Sequence, residues 1–187
     1  MIPLGNPEAL YIDGEWIVPG EHDPVINPAT EELIGHAPVA GRAEAERAIA
    51  AARAAFDKGP WRRMPVEERA ARLSAMCDIF VRRGAEIRAL ITAEAGSVQP
   101  FTQSMQFQTG IDHARHYIER AKQLAMTALP IELVGMANGN TMLGAGAMVR
   151  EPVGVVLAIT PFNVPFNLNL TKSFAALATG KIGRAHV

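Results

Sequence analysis

A chain of 187 residues, 49% of them hydrophobic, is long enough to build a domain around its own core, which excludes an intrinsically disordered polymer. Lys and Arg number 18 against 19 Asp and Glu, and a formal net charge of -1 leaves no electrostatic footprint for nucleic acid or an acidic membrane surface. One cysteine, Cys77, excludes an internal disulfide framework and fits a reducing compartment, by default the cytoplasm.

The opening residues, Met1 to Asn6, lack the basic end and apolar run of a secretory leader, and no apolar run is long enough to span a bilayer. Asp13-Gly14 between Leu10-Tyr11-Ile12 and Glu15-Trp16-Ile17 predicts a β-hairpin. Val25 to Glu32 reads as a turn and Leu33 to Val39 as a short strand. A helix is expected from about Arg42 to Gly59-Pro60, with Ala45, Ala48, Ile49, Ala52, Ala55 and Phe56 as its apolar stripe. Pro65 opens a second helix, whose stripe is Leu73, Met76, Cys77, Phe80 and Val81. A third, Ala85 to Ala95, is closed by Gly96, and Pro100 opens a long helix reaching about Thr127.

From Pro130 the pattern changes to a hairpin, Ile131 to Met136 and Thr141 to Arg150 about the turn Asn138-Gly139-Asn140. Val153 to Thr160 is a continuous apolar run of the kind found in a parallel strand covered on both faces. A loop, Pro161 to Pro165, and a helix, Phe166 to Thr179, follow. One strand and one helix need further strands to complete a doubly wound sheet. The fold class read here is therefore α/β, rich in helix, with an incomplete sheet.

Several landmarks occur in family order: Tyr11 to Trp16, Ile26-Asn27-Pro28-Ala29-Thr30, Trp61-Arg62, Arg69, Arg150 to Val155, and Ile159-Thr160-Pro161-Phe162-Asn163-Val164-Pro165. Together they resemble the aldehyde dehydrogenase superfamily over about Leu10 to Gly180. The resemblance implies the amino-terminal part of a Rossmann-like cofactor domain. Its expected parts are residues 1–129, with the first hairpin and the helices; 130–150, a β-hairpin oligomerisation arm; and 151–180, the first strand, loop and helix of the sheet. The family has tryptophan where Phe162 stands, which keeps aromatic bulk but loses an indole N–H. After Gly180 the family continues into a lysine-bearing strand, the dinucleotide phosphate site, a glutamate base and the cysteine nucleophile. Here instead residues 181–187 end in Ile-Gly-Arg-Ala-His-Val, which a widely used short-read sequencing adapter encodes in one frame. They are expected to be read-through, and the chain a truncated enzyme, inactive alone.

The parent activity implied is oxidation of a small-molecule aldehyde to a carboxylic acid with NAD or NADP, through a cysteine thioester, in a homodimer or homotetramer. The resemblance makes Asn163 the oxyanion donor and Ile159, Thr160, Pro161 and Phe162 cofactor contacts. On local sequence alone, Asn163 reads equally as a turn residue between two prolines, and Ile159 as strand-end packing. Gly144-Ala145-Gly146 lacks the final glycine of a dinucleotide fingerprint and reads as hairpin. Cys77 belongs to an apolar helical stripe without a neighbour that would activate a thiol. His113, His116 and Glu119 share helical spacing but lack a fourth ligand, so no metal is assigned. Two other readings stay open: a non-catalytic assembly module that adds its arm to a partner's sheet edge, and an acylating or reductive relative of the same fold.

Overall fold

The computed structural model describes residues 5–124 and 126–186, the last four of these by their backbone alone. The opening Met1–Leu4, over which no leader was expected, Ala125 near the end of the expected long helix, and Val187 of the expected tail lie outside the described residues.

β1 (Leu10–Ile12) and β2 (Glu15–Ile17) form the expected antiparallel hairpin, with Asp13 and Gly14 both at positive φ in the turn. β3 (Glu21–Ile26) pairs antiparallel with β4 (Leu33–Val39), so the residues before the Asn27 turn are strand and not turn from Val25 onward. Pro24 hides this strand in the sequence; a two-stranded edge tolerates a residue that donates no ladder hydrogen bond.

α1 (Arg42–Lys58) buries Ala48, Ala52 and Phe56, while Ile49 stays exposed. α2 (Val66–Arg82) turns Arg69, Ala70, Leu73 and Cys77 inward and leaves Met76 and Val81 exposed, a face rotated from the expected stripe. The rotation has a cause. Arg69 donates from Nε to the Ala178 carbonyl at 2.9 Å and from Nη1 to the carbonyls of Met64 at 2.9 Å and Trp61 at 3.3 Å. Trp61 adds a hydrogen bond from Nε1 to the Leu177 carbonyl at 3.1 Å. Carbonyls at a helix carboxyl end have no partner within the helix, and a guanidinium supplies both donors and charge there.

α3 (Gly84–Ala95) ends at Gly96, whose φ of 62° is left-handed and whose absent Cβ would fall 2.7 Å from Pro28 Cγ. The next helix is broken into three: α4 (Gln99–Phe101), a π-helical turn (Thr102–Gln108), and α5 (Thr109–Lys122). It ends before Thr127, because β5 (Thr127–Ala128) pairs with β8 (Ala147–Met148) at the base of the arm. Beyond that base, β6 (Glu132–Gly135) and β7 (Thr141–Gly144) form the outer hairpin, shorter than expected from the sequence.

β9 (Val155–Ile159) leads through a loop into α6 (Pro165–Ala178). Residues 182–186, expected as read-through, run as β10 (Ile182–His186) parallel to β9, with Ile182 opposite Val155. The core lies between α2, the π turn, α5 and α6, where Leu73, Cys77, Phe107, Ile111, Ala114, Ile118, Leu170 and Phe174 pack together. Phe166 stacks on Phe107 at 5.3 Å and meets Phe80 edge-on at 5.6 Å, which anchors the first turn of α6 just beyond the loop.

Candidate functional site at the end of β9

β9 runs parallel to β10, so the carboxyl ends of both strands point the same way, the edge at which open α/β sheets gather ligands. Ile159 closes β9 with 65% of its surface exposed, and Phe162 stands out at 86%. Thr160 is buried, and its hydroxyl donates to Asn169 Oδ1 at 3.1 Å, tying the strand end to α6. Pro161 and Asn163 are exposed. The five expected residues thus lie together at the end of β9 and in the loop after it, with the apolar and amide groups open and the threonine folded inward.

Asn163 has two differently placed ends. Among the described residues, its side-chain amide has no protein partner in hydrogen-bonding distance, whereas its backbone carbonyl accepts from Gln106 Nε2 at 3.1 Å. Pro165 occupies the first turn of α6, where its missing N–H costs nothing, and fixes the exit of the loop.

Four polar residues that sequence reasoning passed over support this loop. Gln106, in the π turn, is fully buried. Asn167, 5% exposed, donates from Nδ2 to the Met105 carbonyl at 2.9 Å and accepts from the Thr171 hydroxyl at 3.1 Å. Asn169 holds Thr160, and Lys172 Nζ donates to the Ile159 carbonyl. A signal was available for two of them. Gln106 interrupts a stripe continued by Gly110, Ala114 and Ile118, and Asn167 shares a face with Leu170, Phe174 and Ala178; an amide on such a stripe must find a partner.

The strand end fits part of a dinucleotide. Ile159 and Phe162 offer apolar surface for a ring. A cleft of about 250 Å3 between β9 and α6 is lined by Leu157, Ala158, Lys172, Ala176 and Lys181; Lys181 lies by the amino end of the ladder, so the cleft runs along the strand and not at its carboxyl end. Its volume falls below the range of about 300–1,000 Å3 usual for small-molecule sites, so a whole dinucleotide needs further walls.

Cys77 stands apart from this loop, wholly buried in the helical core. Burial pushes its thiol pKa up, against a smaller lowering effect of Arg115, so the group is held as the unreactive thiol. His113 bonds the Thr171 hydroxyl through Nδ1 at 3.2 Å and Glu119 pairs with Lys122, so the two ends of the expected helical trio have other partners. No group of three or more His, Cys, Asp or Glu among the described residues could hold a metal ion. No described helix is long and apolar enough to cross a membrane.

A model of the aldehyde dehydrogenase family matches residues 16–182. The chain belongs to this family. An aspartate-semialdehyde dehydrogenase (non-phosphorylating) of Halomonas elongata is 32% identical over 172 residues, covering 91% of this chain and 33% of that protein. A Mycobacterium tuberculosis aldehyde dehydrogenase, solved with NAD+, superposes with a TM-score of 0.80 at 32% identity over 95% of this chain and 35% of its own. An NADP-dependent enzyme of E. coli gives a TM-score of 0.84 at 27% identity, over 96% and 35%. The chain spans about a third of the length of these aldehyde dehydrogenase relatives.

Proposed function

We propose that this chain supplies the oxyanion-binding loop and part of the cofactor surface of an NAD(P)-dependent enzyme that oxidises an aldehyde to a carboxylic acid through a cysteine thioester. The reading rests on Asn163. Its amide is exposed and, among the described residues, unpartnered at the open end of a parallel strand, on the motif position that carries the oxyanion donor in aldehyde dehydrogenases.

Attack of a thiolate on an aldehyde carbonyl moves an electron pair onto the carbonyl oxygen. An amide N–H already aimed at that oxygen stabilises the charge without reorganising during the reaction. Bound nicotinamide would accept the hydride, with Ile159, Thr160, Pro161 and Phe162 against the cofactor. Cys77, buried with its thiol pKa raised, is not the nucleophile; since it is the single cysteine of the sequence, the thiolate comes from outside this chain. The chain alone is therefore inactive. NAD and NADP are both retained, since the group that meets the adenine ribose is not among these residues.

The hairpin arm, with Ile131, Leu133 and Leu143 exposed, supports assembly into a homo-oligomer, dimer or tetramer. It also favours the second reading, an assembly module, if no activity is found.

The test is Asn163→Ala in the whole enzyme that contains this segment. Turnover is expected to fall about 100-fold to 1,000-fold with KM for the cofactor little changed. Turnover within about threefold of wild type overturns the assignment, as does aldehyde-dependent formation of reduced cofactor by this chain alone.

A further inference from the structure

Gln106 sits in the π-helical turn with none of its surface exposed. Its Nε2 carries two protons, and two acceptors meet them: Ser97 Oγ at 3.2 Å and the Asn163 carbonyl at 3.1 Å. A carbonyl can only accept. Turning the amide around would set its oxygen against the Asn163 oxygen, so the orientation is forced. It leaves Oε1 as the one buried side-chain nitrogen or oxygen without a hydrogen-bond partner among the described residues. A buried acceptor left empty is costly, and the arrangement persists because the donor end is what the fold uses.

Asn167 reaches across the same gap in the opposite direction, from Nδ2 to the Met105 carbonyl at 2.9 Å. Two amides therefore cross-link consecutive residues of the π turn, 105 and 106, to residues 167 and 163, which bracket the start of α6. π turns inside helices recur where a side chain must be aimed. Asn163 needs such help: with no partner for its side chain among the described residues, its direction follows from its backbone.

We propose that Gln106 is a positioning residue for Asn163, gripping its backbone carbonyl so that its side-chain amide keeps one direction at the end of β9. The inference rests on the oxyanion role given above to Asn163. Gln106 itself touches no substrate. Misplacing a catalytic group by about 1 Å costs on the order of 100-fold in rate, so an isosteric loss of the donor acts on kcat. KM changes little, because the oxyanion exists in the transition state and not in the bound aldehyde.

A double-mutant cycle in the whole enzyme tests this, together with amide hydrogen exchange on this chain. Gln106→Met, which keeps the volume and removes the donor, is expected to lower kcat about 10-fold to 100-fold. In an Asn163→Ala background the same change should have less than about a threefold effect, since nothing is left to aim. Equal losses in both backgrounds overturn the proposal, because a merely structural residue would act alike in each. Exchange should quicken at least about tenfold at residues 160–164 while the amides of α2 and α5 keep their protection. Unchanged exchange in that loop overturns the positioning role even if Asn163→Ala proves harmless, which would sink the catalytic reading instead.

Should Gln106→Met unfold the core, Gln106→Glu replaces it. A protonated carboxyl can still donate to the Asn163 carbonyl and a carboxylate cannot, so the ratio of its kcat to wild type should climb as pH is lowered. A ratio flat with pH overturns the proposal.

Discussion

Along α5 the residues Ile111, Ala114, Ile118 and Ala121 are sealed at intervals of three and four residues against α2 and α6, whereas along the arm Ile131, Leu133 and Leu143 remain 69, 76 and 64% exposed. Both regions are rich in apolar side chains. The difference lies in what covers them: a helix can close its stripe against two neighbours supplied by this chain, but a lone two-stranded hairpin has two faces and no layer to lay over either. Apolar content alone therefore does not mark a core. The loop at residues 160–165 combines the two conditions: Pro161, Phe162 and Asn163 are exposed, while the Asn163 carbonyl is fastened to the helical core by Gln106.

The sharpest way to break this comparison is Phe174→Ala. Phe174 is wholly buried at the meeting of α2, α5 and α6, and its removal should cost about 3–5 kcal/mol, read by chemical denaturation. A loss below about 1 kcal/mol would mean that the core is less closed than its packing implies. Arg69→Met comes next. It leaves the carbonyls of Met64 and Ala178 without the guanidinium donor, while that of Trp61 keeps the Met64 N–H, and a loss of about 2–3 kcal/mol is expected from the same measurement. Leu133→Ser in the arm should change the stability of the isolated chain by no more than about 0.5 kcal/mol. A much larger loss would show that the arm already has a partner, which sedimentation would then reveal.

Much of this fold was legible because punctuation is local. Gly59-Pro60, Pro65 and Gly96 bound helices exactly where backbone chemistry demands, and Asp13-Gly14 marks the first hairpin. The face of α2 was harder to read, since the buried Arg69 looks like a solvated residue until the carbonyls it caps, 109 residues away at Ala178, are known. The π turn leaves no local trace, and Pro24 disguises β3. β10 could not be foreseen from residues read as foreign; its evidence is a ladder with β9, a nonlocal fact. The same division runs through the candidate site. Its loop was visible as a motif, while Gln106 was not, because its bond to Asn163 spans 57 residues.

The parallel ladder of β9 and β10 has a further consequence. Among the described residues each strand has one neighbour, so two rows of amides and carbonyls face outward along its flanks, beside the exposed Leu157 and Ile159. Such flanks are templates. Copies of this chain concentrated together would stack strand against strand, and a short peptide of matching alternation, supplied in excess, would blunt that growth by capping the ladder.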